Sequence, residues 1–125
     1  MNEKELLKHA RTFVFNAIPE EIRELDEYDE ASHFDVYVEW RSKDRWAVVD
    51  RFKACYNREG KRDYEPQPSS RDEDFLKEYR FSLEEAVEIA QRVAKTVKLN
   101  RFTVEDFSEF IVQRKKASDE EKQAN

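Results

Sequence analysis

Hydrophobic positions along the chain change period twice, and the changes divide it into helical and extended stretches. Leu6, Ala10, Phe13, Val14 and Ala17 fall at spacings of four, three, one and three, the stripe of a one-sided helix, which predicts a first helix over about 3–17. Pro19 interrupts it. Proline suits the first turn of a helix, so Ile22 and Leu25 predict a second, short and acidic helix over about 19–26. From Phe34 the period becomes two: Phe34, Val36, Val38 and Trp40 alternate with Asp35, Tyr37 and Glu39, predicting a strand over about 34–41 with one face buried. After the turn-like Ser42-Lys43-Asp44, a second strand is expected over about 45–56. It would send Trp46, Val48, Phe52, Ala54 and Tyr56 to one side and Ala47, Val49, Arg51, Lys53 and Cys55 to the other. Asp50 falls in register with the apolar set, so either a bulge re-aims it or its carboxylate must find a partner.

Asn57-Arg58-Glu59-Gly60 is the strongest local signal. Asparagine opens a turn well, and the only glycine of the chain stands where a left-handed residue would lead through a bulge into the next strand. A third strand over about 61–65 would then complete an antiparallel meander, which Pro66 and Pro68 end because proline cannot donate to a ladder. Two capping-box patterns follow, Ser70 with Glu73 and Ser82 with Glu85. They predict helices over about 71–79 and 83–98, the latter with a stripe of Leu83, Ala86, Val87, Ala90, Val93, Ala94 and Val97. Asn100 can stop that helix in a left-handed conformation. Thr103 with Asp106 reads as a further cap, and Val104, Phe107, Phe110 and Ile111 predict a last helix over about 104–114, with a strand through Phe110–Gln113 as the competing reading. Residues 115–125 are polar and read as a frayed tail.

These elements make an α+β fold: one domain over 1–114, a three-stranded meander covered on one face by helices, and the opposite face carrying Tyr37, Glu39, Arg51 and Lys53. Charged residues at 42% would suit a disordered chain, but nine Phe, five Tyr and two Trp supply a core. A lone cysteine, Cys55, cannot pair internally, no apolar run approaches a membrane span, and the N-terminus has no signal-peptide pattern, so the cytoplasm is the expected compartment.

The net charge of −6 hides a sorting. Between Pro19 and Glu30 stand seven acids, Glu20, Glu21, Glu24, Asp26, Glu27, Asp29 and Glu30, against the single base Arg23. Between Arg41 and Arg62 stand eight bases, Arg41, Lys43, Arg45, Arg51, Lys53, Arg58, Lys61 and Arg62, against three acids. Segregated charge chooses partners and speeds encounter.

No chemical motif stands out. One glycine leaves no phosphate-cradling loop, and no Cys or His pair has metal-ligand spacing, so neither cofactor nor metal is expected. His33 with Asp35, Glu39 and Asp50 is the one group that could do acid–base work, but alternation puts most of it on a solvated face. The expected function is therefore a non-enzymatic interaction module, accessory or inhibitor-like, that binds a protein partner through the acidic block together with Tyr37, Glu39, Arg51 and Lys53. Its rival is nucleic-acid binding by the eight bases, which alternation opposes by turning Trp46, Phe52 and Tyr56 inward, away from the cations. A further alternative is an acidic decoy whose carboxylates imitate phosphates in another protein's nucleic-acid site. The acidic helix could equally dock on the chain's own basic hairpin.

Overall fold

Two turns of the same construction shape the middle of the chain. In the first, Asn57 accepts the amide of Gly60 at its carbonyl (3.0 Å) and the amides of Glu59 and Lys61 at its side-chain oxygen (3.0 and 2.9 Å), with Gly60 at φ 80°. In the second, Asp50 accepts the amide of Lys53 at its carbonyl (3.0 Å) and those of Phe52 and Ala54 at its carboxylate (2.9 and 3.1 Å), with Lys53 at φ 65°. The expected strand over 45–56 is thus two strands with a turn between them.

A computed structural model describes residues 1–124. Helix α1 (Glu3–His9) is followed by β1 (Thr12–Phe15), α2 (Glu20–Arg23) and a 3-10 turn over Glu30–Phe34. Strands β2 (Val36–Ser42), β3 (Arg45–Asp50), β4 (Ala54–Tyr56) and β5 (Arg62–Tyr64) come next, then α3 (Glu73–Tyr79), α4 (Leu83–Ala94) and α5 (Val104–Ala124). The α+β class holds, but the sheet has five antiparallel strands in the order β1-β2-β3-β4-β5 rather than three.

The additional edge strand corrects the helix expected over 3–17. Residues Thr12–Phe15 are β-branched or aromatic and find the open edge of β2, in register from Thr12↔Glu39 to Phe15↔Val36. Strand pairing outweighs a weak helical stripe. The acidic helix of 19–26 shrinks to the single turn of α2 because Asp26 turns inward to accept the amides of Glu30 and Ala31 (3.1 and 2.7 Å). Phe34 consequently ends a 3-10 turn instead of opening β2.

The C-terminal half follows its local signals more closely. Asp72, not Ser70, caps α3 by accepting the amide of Phe75 (2.8 Å). Ser82 caps α4, which stops at Ala94, short of 98. Asn100 is left-handed as expected (φ 50°), but with Arg101 (φ 73°) it forms a two-residue turn that lets Leu99 bridge Phe102. Thr103 and Asp106 form the expected reciprocal cap (3.0 Å each way). Helix α5 then runs on to Ala124, past the expected end at 114, with Lys115 and Asp119 paired along it at 3.2 Å. Of the tail expected over 115–125, residue 125 lies outside the described residues.

One face of the sheet carries the main core. Val36, Val38, Trp46, Val48 and Tyr56 meet Ala86, Ile89, Ala90 and Val93 of α4 and Phe107 and Ile111 of α5. The opposite face is not left bare, as expected, but is partly covered: Ala47, Val49 and Cys55 are buried under Tyr79 and Phe75 of α3. Burial pushes the Cys55 thiol up to about 11.

Candidate functional site

The acidic block divides into an inward and an outward part. Asp26 and Glu30 belong to the fold: Arg114 of α5 reaches Glu30 at 3.2 Å and Asp26 at 3.8 Å, with its guanidinium over Tyr28 and Phe110. The block is therefore held by α5 and not by the basic hairpin. Glu20, Glu21, Glu24, Glu27 and Asp29 remain exposed and follow β1 in the chain.

The basic block does not form one surface, because successive turns of an antiparallel meander alternate between its two ends. Lys43 and Arg45 lie at the β2–β3 turn, with Arg58 and Lys61 at the β4–β5 turn on the same end; Arg51 and Lys53 lie at the other end. Three of the eight are ion-paired: Arg41 with Glu39 and Glu65, Arg58 with Glu85, and Arg62 with Asp50. Trp46 and Tyr56 are buried as expected, but Phe52 is 65% exposed at the tip of the β3–β4 turn, contrary to its inward assignment. Its neighbours Arg51 and Lys53 are exposed too.

Phe52 separates two clefts, each of about 500 Å³. On the helix side the cleft is lined by His33, Asp50, Tyr56, Arg62 and Lys98. Asp50 is buried. Besides the two turn amides it accepts the Tyr56 hydroxyl (3.0 Å) and Arg62 Nε (2.6 Å). Burial, then the Asp50 charge, pushes the Tyr56 phenol well above its ordinary value, so it stays a neutral donor. The two Asp50 oxygens thus serve the turn and its neighbours. The remainder of the acid–base group is dispersed, with Asp35 accepting from Asn16 (2.8 Å) and Glu39 paired to Arg41.

The second cleft lies on the opposite face. Past β5 the chain turns back over the sheet and brings Glu65 against Arg41 on β2, which donates through Nε (3.0 Å) and Nη2 (2.9 Å). Arg80, leaving α3, donates to the same carboxylate at 2.7 Å, and Arg71 stands 3.5 Å away while donating to the Pro66 carbonyl. Burial pushes the Glu65 carboxyl upward, but the bonds and charge of Arg41 together with the charges of Arg80 and Arg71 outweigh it, and the net direction is downward. Burial, and the like charges of Arg41 and Arg71, hold Arg80 below its ordinary value despite Glu65. Lys53, Phe52 and Tyr64 line the cleft together with Arg41, Glu65 and Arg71, whereas the Arg80 side chain is buried and is not part of the lining. Glu65, Arg71, Arg80 and Tyr64 escaped sequence reasoning, since nothing in their spacing announces that one loop collects them.

Among the described residues, no group of three or more His, Cys, Asp or Glu side chains is placed to hold a metal ion, and no helix is long and apolar enough to cross a membrane. No family model, curated protein or solved structure matches the chain.

Proposed function

We propose that this chain is a non-enzymatic interaction module that takes up an extended, basic segment of a partner protein along the outer edge of β1. The observation that carries the reading is the unpaired edge itself. Trp40 N donates to Arg11 O at 2.9 Å, and antiparallel bonding alternates along the strand. Phe13 and Phe15 therefore bond to β2, while Thr12 and Val14 turn their amides and carbonyls outward. An exposed edge of this kind is a template for strand addition.

Its surroundings support the reading. Helix α1 precedes β1 with no buried residue, and its Leu6 and Leu7 are more than half exposed. A seven-residue helix has little stability alone, so apolar contact with a bound segment gives it a role. Val14 is 54% exposed beside half-buried Tyr37, its register partner. At the far end of β1 wait Glu20, Glu21 and Glu24, which favour a basic segment over an acidic one and speed its approach.

The test is binding of fluorescent extended peptides of graded lysine content to the intact chain. Affinity should rise with lysine content and fall with added salt. Val14→Pro should abolish it, since proline removes an outward amide while leaving the bonds to β2 in place. Failure of every peptide to bind at low salt, or binding indifferent to Val14→Pro, refutes the proposal.

A further inference from the structure

A second site lies on the sheet face opposite the main core. We infer that the cleft over Glu65 binds a phosphomonoester that carries a planar ring, a nucleoside monophosphate or the phosphorylated end of a single strand. Its charge is unbalanced: Arg41 and Arg71 line it beside Glu65, Arg41 also pairs with Glu39, buried Arg80 pairs with Glu65, and Lys53 is part of the lining. In a protein of net charge −6, the lining of this cleft sets three cations, Arg41, Arg71 and Lys53, against two carboxylates, Glu39 and Glu65, a surplus of one positive charge, and buried Arg80 pairs with Glu65 besides.

Donors remain free for an anion. Of the five N–H bonds of a guanidinium, Arg71 uses only Nε, toward Pro66 O, in a hydrogen bond, and its terminal nitrogens stand no closer than 3.5 Å to Glu65. The ammonium of Lys53 makes no hydrogen bond or ion pair among the described residues. Planar, forked guanidiniums suit phosphate oxygens.

Two rings frame the same space. Phe52 and Tyr64 are 65% and 74% exposed, and both line the cleft. A bare phosphate would leave most of about 500 Å³ empty, whereas exposed rings beside cations match a base stacked with its phosphate held. Lys53 adds an independent argument. Its turn has the same construction as the one that places Gly60 in the left-handed position, yet here a lysine occupies that conformation. A strained residue kept where glycine would fit points to a use for its side chain.

Isothermal titration calorimetry of the intact chain at low salt tests this, with adenosine 5′-monophosphate as probe and adenosine and inorganic phosphate as the two halves. The monophosphate should bind more tightly than either half. Lys53→Gly should weaken it about tenfold, as loss of a charge-assisted contact does, and because this change relaxes the backbone the loss cannot be put down to misfolding. Phe52→Ala should weaken it about tenfold through lost stacking, and Val14→Pro should leave it unchanged. Thymidine monophosphate against 5′-phosphorylated tetrathymidylate separates the two sources: equal affinities favour the free nucleotide, tighter binding of the tetramer favours the strand end. The inference is overturned by no heat from the monophosphate, by phosphate binding as well as the monophosphate, or by binding indifferent to both Lys53→Gly and Phe52→Ala.

Discussion

Replacing Asp50 by alanine should be among the most damaging single changes in the protein, and its cost follows from the donors it strands. Four groups lose an acceptor: the amides of Phe52 and Ala54, the Tyr56 hydroxyl and Arg62 Nε. They are not equal. Phe52 is in an exposed turn and the Arg62 side chain is 53% exposed, so water replaces much of what they lose, at about 0.5–1 kcal/mol each. Ala54 and Tyr56 are each 7% exposed, and an orphaned buried donor costs about 1–3 kcal/mol. The sum is about 3–8 kcal/mol, a large share of the stability of any small domain. Asp50→Asn keeps an acceptor for both turn amides and should cost only about 1–2 kcal/mol. Urea unfolding followed by tryptophan fluorescence, with Trp46 inside the core, measures both. Tyr56→Phe supplies the control: adding it to Asp50→Ala removes one of the stranded donors, so the double variant should be more stable than additivity predicts, by about 1–2 kcal/mol. A loss below about 1 kcal/mol for Asp50→Ala, or strict additivity, refutes the assignment.

The twin turns give a paired prediction: Gly60→Ala should destabilise by about 1 kcal/mol through backbone strain alone, since its nearest new neighbour would be Val93 Cγ2 at 4.0 Å. Lys53→Gly should be neutral or stabilising by a similar amount, and thermal unfolding of the two variants should therefore move in opposite directions. Glu65 has its folded pKa below the ordinary 4.5, so its stabilising effect is complete above that value and is lost as pH falls through the folded one. Comparing urea midpoints of the native chain and Glu65→Gln, the gap should be widest near neutrality and close in acid; a gap independent of pH would contradict the ion-pair arrangement.

What could be read from the sequence was what neighbouring residues decide among themselves. The caps at Ser82 and at Thr103 with Asp106, the Asn57 turn and most of the α4 stripe depend on side chains within a few positions of one another and are present, although Leu83 is exposed and Ile89, outside the expected stripe, is buried. Strand β1 could not be read in the same way, since Thr12–Phe15 is extended only because β2 offers an edge. The β3–β4 turn was hidden because lysine stands where glycine would have announced it, although Asp50, seven positions before Asn57, carries the same acceptor. Charge sorting was legible but its geometry was not. Alternating turns scatter the bases, Arg114 claims two of the acids from 84 residues away in the case of Glu30, and the three arginines around Glu65 meet only through the loop that follows β5.

Strand order in the sheet equals strand order in the chain, so during synthesis each strand can find its neighbour as soon as it emerges. Helix α5 is the exception. It comes last, yet Phe107 packs on Phe34 with ring centroids 5.2 Å apart, and Arg114 closes over the residues before it. A ribosome-bound chain that has not yet released α5 would hold the complete sheet without the Phe107 ring that packs on Phe34, so this helix closes the core only after the strands are in place.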